Sequence, residues 1–297
     1  MKKNVFIFSA VILLAVIGVV CADLRFDGIT GSATSQPTNV TVQVTGVNPV
    51  KVVNISIGAN FNPTEDGYTE VTLLATLYDP DGVQDLNDSN VAALLTKTGE
   101  TTRENLSCAW VADISAYSAV YSCTVIMWYW DGAGNWTVNV SGTDIGNGTV
   151  TYNDSQKFTY NQLKAMTISP DSLTWPTLAG GSTNQNSNND PTIVNNTGNY
   201  NGTIKITGLD LLGDINSSHR INTGNFTAGP VDLLSCTATQ LVNNTAATIA
   251  STTANPGNLS IGGGEGQEEI YYCMPNVPVV FSQTYSTSQG GRWTIAY

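Results

Sequence analysis

The chain has 297 residues, with 23 Asp and Glu against 11 Lys and Arg, a single histidine and a formal net charge of −12. That balance argues against nucleic acid and anionic membrane surfaces as partners, because both are held by basic faces. Charged residues make up only 11% of the chain, so its solubility rests largely on Asn, Thr, Ser and Gly.

Residues 1–22 read as a signal peptide. Lys2 and Lys3 precede an uncharged apolar run over 5–20, and Val20-Cys21-Ala22 supplies short residues for cleavage after Ala22. Lipid modification of Cys21 is disfavoured by the bulk of Val20 before it. Retention as an anchor is disfavoured because the run is shorter than the roughly 20 residues of a spanning helix. Losing Lys2 and Lys3 leaves nine basic residues and a net charge of −14. No second apolar run follows, so the mature chain is expected to lack a membrane span.

The first domain is expected over 23–163. Alternation of Val40, Val42 and Val44 with polar residues marks a strand over 38–45, and further strands fall at 50–57, 70–78 and 91–96. Residues 105–111 and 119–130 read as a hairpin. Residues 119–140 read as a second hairpin, with Asp131-Gly132-Ala133-Gly134-Asn135 as its turn and Trp136, Val138 and Val140 on one face. A last strand covers 157–160. Short strands at this spacing, without amphipathic helix periodicity, indicate an all-β sandwich.

The second domain is expected over 164–297. Strands fall at 166–169, on both sides of the Asn-Gly-rich turn of 191–211, and at 231–242, 269–273, 277–281 and 292–297. Residues 180–190 read as a polar loop.

Cys108, Cys123, Cys236 and Cys273 remain after cleavage, an even number behind a signal peptide and without zinc-ligand spacing. Sequence does not give their connectivity; the simplest pairing, within each domain, is Cys108–Cys123 and Cys236–Cys273. In the first pair, the implied register sets Trp110 opposite Tyr121 on the cysteine face. Fourteen Asn-x-Ser/Thr sequons span both domains: Asn39, Asn54, Asn87, Asn105, Asn135, Asn139, Asn147, Asn153, Asn195, Asn201, Asn216, Asn225, Asn243 and Asn258. Their number in an exported chain predicts a glycoprotein.

The segments ATLYDPDGVQDL, GNWTVNVSGTDIGNG and KFTYN resemble the immunoglobulin-like domains of archaeal and bacterial secreted cell-surface proteins. The shared features are an Asp-x-x-Gly turn after the second main strand and an aromatic-x-Val-x-Val strand that ends in an Asp. The resemblance covers about residues 36–162 and implies an immunoglobulin-like sandwich; the antibody-type Cys–Trp–Cys spacing is absent. In the second domain, NNTGNYNGTIKI resembles a strand–turn–strand unit of archaeal envelope proteins. The expectation is therefore two tandem β-sandwich (immunoglobulin-like) domains after a signal peptide.

Three sites stand out. Asp79, Asp81, Asp85 and Asp88 cluster around Gly82 and can offer the hard oxygens that Ca²⁺ takes, although Asp and Gly also suit a plain inter-strand turn. Trp128 and Trp130 share a strand face about 7 Å apart and can stack sugar rings if exposed. His219, after Ser217 and Ser218, is the sole imidazole available to a serine hydrolase, and no nucleophile motif accompanies it. The leading expectation is an extracellular structural or adhesive cell-surface glycoprotein without catalytic activity, with calcium as the one cofactor considered. Its partners would be other surface proteins or itself, with residues 23–43 either completing their own sheet or filling a neighbour's edge. The alternative is a carbohydrate-binding module using Trp128 and Trp130.

Overall fold

The computed structural model describes residues 39–42, 48–145, 151–232, 235–261 and 265–297. The signal peptide, the boundary at residue 23 and Asn147 lie outside the described residues. The chain divides into two compact units, Met1–Val44 and Thr45–Tyr297. In the first, residues 39–42 are irregular rather than the expected strand, with Val40 79% and Val42 75% exposed. Alternation makes a strand only where a neighbour takes its hydrogen bonds, and these residues pair with no described strand.

The second unit is all-β, apart from single 3-10 turns. Its first half contains β1 (Lys51–Ile57), β2 (Asn60–Phe61), β3 (Tyr68–Tyr78), β4 (Ala92–Thr96), β5 (Arg103–Asn105), β6 (Ala109–Ser115), β7 (Ser118–Trp128), β8 (Gly134–Gly142) and β9 (Thr151–Tyr160). They form a four-stranded sheet, β1-β3-β7-β6, and a five-stranded sheet, β2-β9-β8-β4-β5. Pairing is antiparallel except between β2 and β9. The period-two pattern aims Leu73, Leu77, Tyr121 and Val125 of one sheet, with Trp136, Val138 and Phe158 of the other, into one core.

Two expectations change here. The stretch 119–140 is not a hairpin, because β7 and β8 belong to different sheets and the Asp-Gly turn carries the chain between them. Turn chemistry is the same for a hairpin and for a crossing, and only long-range pairing tells them apart. The strand expected over 105–111 is also split. Beyond Asn105 the chain leaves β4 and re-enters the other sheet as β6, with the Cys108 N–H on Val91 O at 2.8 Å as its pivot. Trp110 does face Tyr121, but it is 52% exposed while Tyr121 is buried. β6 is an edge strand interrupted by two register shifts, and its residues lack the flanking neighbour that covers Tyr121.

The second half contains β10 (Met166–Ser169), β11 (Thr183–Asn186), β12 (Thr192–Asn196), β13 (Gly202–Thr207), β14 (Leu211–Gly213), β15 (Arg220–Ile221), β16 (Thr227–Gly229), β17 (Thr239–Gln240), β18 (Ala246–Ala254), β19 (Gln267–Asn276), β20 (Tyr285–Ser286) and β21 (Thr294–Ala296). They are distributed over three sheets, the largest built on β19, which pairs with β11, β12 and β16. A separate core gathers Val194, Ile204, Ile206, Phe226, Ile249, Ile270 and Tyr272.

The loop expected over 180–190 supplies β11. Among the described residues of the strand expected over 231–242, Thr239–Gln240 form β17 and Val242 an isolated bridge, and the strand expected over 277–281 is open chain. There Pro278 has no N–H for a ladder, and Val279 and Phe281 stand 85% and 57% exposed. β18 was not expected, because its Ala/Thr sequence carries one large apolar side chain, Ile249.

Hydrogen bonds join the halves. Asp66 N–H donates to Thr197 O at 3.1 Å, and Asn199 Nδ2 donates to Asp131 O and Asn161 O at 3.0 Å each. Both disulfides form as expected, Cys108–Cys123 and Cys236–Cys273, with Cα atoms 4.5 and 5.4 Å apart. Among the described residues no helix is long and apolar enough to cross a membrane.

Candidate functional site

The acidic turn follows β3. Pro80 presets the first corner of a turn closed by Gly82 N–H on Asp79 O at 3.2 Å, and Gly82 itself takes φ 111°, which favours glycine. One side of the turn is bolted to the β6–β7 connection, where Asp79 N–H donates to Tyr117 O and Val83 N–H to Ala116 O. Its other side is bolted to the β8–β9 connection. Ile145 N–H donates to Asp85 O at 2.7 Å, Asn87 N–H donates to Thr143 O at 2.9 Å, and Leu86 bridges to Asp144.

This scaffold brings carboxylate oxygens of Asp79, Asp81 and Asp85 within 4.8 Å of one another. Asp79 is 0% and Asp85 6% exposed, whereas Asp81 is open to solvent and is held by the N–H and Nδ2 of Asn48 at 2.8 and 3.0 Å. Asp79 Oδ1 accepts the Asp81 N–H at 2.8 Å, while its buried Oδ2 has no hydrogen-bond partner. Burial pushes the Asp79 carboxyl above the ordinary carboxylate range. The negative charges of Asp85, Asp81 and Asp144 add to that push, and the Asp81 N–H opposes it.

Asp88 does not join this group. A 3-10 turn over Asp88–Asn90 carries it away, and its Oδ1 accepts the Tyr121 hydroxyl at 2.6 Å. Asp144, 1% exposed, lies near enough for its charge to act on Asp79 but is not among the three carboxylates that converge. It lies some sixty residues further along the chain, beyond the reach of any local pattern. The one sequence signal for it is the Asp that ends the aromatic-x-Val-x-Val strand.

Trp128 and Trp130 do share a face, but their rings stack on each other at 4.9 Å and 9°. Tyr68 meets Trp128 edge-on, and Tyr129 meets Trp130 in the same way. The facing sides of the pair are therefore closed to a sugar. Trp128 also lines a shallow groove with Arg103, Asn105 and Thr124. Two of the polar groups there are engaged within the chain, Arg103 by Asp131 and Asn105 Nδ2 by Thr124 O.

His219 stacks on Phe281 at 5.2 Å, and Ser217 and Ser218 are exposed. None of the thirteen described sequon asparagines is buried. Asn39, Asn54, Asn135, Asn201, Asn216 and Asn243 are exposed, and the other seven are half-buried. A scan against protein-family models and a search of curated proteins each found nothing that matches the chain.

Proposed function

We propose that the chain is a structural or adhesive glycoprotein of the cell exterior that works by contact with other surface proteins or with copies of itself, without catalysis. The observation that carries this reading is the placement of the sequons, which occupy surface positions in both halves while the hydrophobic alternation stays inside. Two disulfides add to it, since such bonds persist in oxidising compartments. The architecture we assign is two β-sandwich domains, the first immunoglobulin-like. In support, the order β1-β3-β7-β6 follows the A-B-E-D order of immunoglobulin sheets, and the neighbours β9-β8-β4 follow G-F-C. Glycopeptide mapping of the protein from its own cells is expected to find glycans, foremost at Asn54, Asn135, Asn201, Asn216 and Asn243. An unmodified protein with free thiols inside the cell would overturn the reading.

A further inference from the structure

β7 outruns its neighbour on one edge. Among the described residues β6 pairs with it only as far as Ser122, and β5, a strand of the other sheet, flanks the stretch beyond. Across the gap Asn105 Nδ2 donates to Thr124 O at 2.9 Å, a side chain standing in for the missing strand. The gap is a groove with residues 102–105 on one wall and the outward row Thr124, Ile126 and Trp128 of β7 on the other. Ile126, 42% exposed, and the half-buried Trp128 make the second wall mainly apolar. Thr102 and Glu104, both exposed, give the first a polar rim.

Asn105 heads the sequon Asn105-Leu106-Ser107 and is itself part of the wall. Its carboxamide is held at both ends, since Oδ1 accepts the Ser107 N–H at 3.0 Å while Nδ2 reaches Thr124. Leu106 and Ser107 are exposed, which leaves the sequon open to a transferase. A glycan takes one of the two hydrogens of Nδ2 and leaves the other for Thr124 O. A sugar attached there starts inside the groove.

Given a glycosylated chain, as proposed above, we infer that the groove between β5 and β7 is the seat of the glycan carried on Asn105 of the same chain. Thr124 and Trp128 lie about 13 Å apart by strand rise, so the proximal sugars pass over Ile126 on their way to the indole. Their C–H faces cover Ile126 and Trp128, and their hydroxyls meet the rim of Thr102 and Glu104. Because the ligand is tethered at the wall of its own site, contacts too weak to hold a free sugar are enough. The glycan then shields the stretch of β7 edge that β6 leaves bare.

The test uses the mature protein from its own cells and two substitutions of exposed residues. Ser107→Ala removes the sequon and keeps both hydrogen bonds of Asn105; Ile126→Ser keeps the glycan and removes its apolar support. Each is expected to lower Tm by about 2–4 °C, the shift of one ordinary contact in a domain of this size, and the double variant to lose no more than either alone. A glycosidase is expected to release the Asn105 glycan several-fold more slowly from the wild type than from Ile126→Ser, and to release those of exposed Asn201 and Asn243 equally from both. Additive Tm losses with equal release rates overturn the proposal, as does Ser107→Ala at the wild-type Tm when Asn105 is glycosylated in the wild type. Glycopeptide mapping separates this inference from the reading beneath it: glycans at other sequons with Asn105 bare overturn the seat alone, whereas a chain without glycans overturns both. Should Ser107→Ala fail to fold, the release rates from the wild type and Ile126→Ser decide.

Discussion

Asp131 shows how one residue holds the corner where the chain crosses between sheets. It is 1% exposed, takes Arg103 Nε at 3.0 Å on both oxygens and Nη2 at 2.6 Å, and accepts the Trp128 N–H at 2.7 Å. Burial still pushes its carboxyl above the ordinary range, so the donors offset the desolvation only in part. Removing the guanidinium leaves a buried charge with one backbone donor. Arg103→Ala is expected to destabilise the fold by about 3–5 kcal/mol, read as a lower urea midpoint at unchanged slope. Arg103→Lys should recover only part of this, since a point charge cannot reproduce the fork. Both residues stand in the sequence without any sign of their pairing, because 28 positions separate them.

At the scale of elements, one buried side chain makes several of the hydrogen bonds at the junction of the halves. Asn199 is buried in the connection that follows β12, and its Nδ2 serves Asp131 O and Asn161 O while its Oδ1 accepts the Leu163 N–H at 2.7 Å. It thus ties the β7–β8 crossing, the end of β9 and the link to β10 together. Asn199→Ala would strand two carbonyls and one N–H, with an expected loss of about 2–4 kcal/mol. Denaturation followed by two probes, Trp136 for the first core and Trp293 for the second, should then show transitions that coincide less closely than in the wild type. Disulfides act within each half instead: by loop entropy, the separations of 15 and 37 residues correspond to about 3 and 4 kcal/mol.

For the whole molecule, the excess of acid makes stability depend on pH through its buried carboxyls. Asp190 is the case with a defined value. Burial raises its pKa from 3.8 to about 6; Asp232 adds to the rise, and the Tyr272 N–H and Ser187 oppose it. Below about pH 4 the group is protonated in folded and unfolded chains alike. As the pH climbs, the unfolded chain ionises first, so the folded state loses stability between about 4 and 6 and then levels off. Chemical denaturation across pH 4–7 is expected to show that decline, and Asp190→Asn should flatten part of it while keeping an acceptor for the Tyr272 N–H. Glu268, also raised by burial, acts in the same direction.

Local chemistry in the chain determined the strands whose apolar residues alternate strictly, such as β3, β7 and β8, because a two-residue period is visible without a partner. It also placed Asp79, Asp81 and Asp85 on one turn, whereas the cysteine pairs were only the simplest of the connectivities that the sequence allows. Pairing between distant segments was decided only by the tertiary structure. The same Asp-Gly turn that suggests a hairpin sends β8 to the opposite sheet, the run 105–111 divides between two sheets, and β18 forms from a sequence nearly without large apolar residues. Asp88 parts from the acidic turn for the same reason: a 3-10 turn leads its carboxylate to Tyr121, while the fold sets the remote β8–β9 connection, with Asp144, beside that turn.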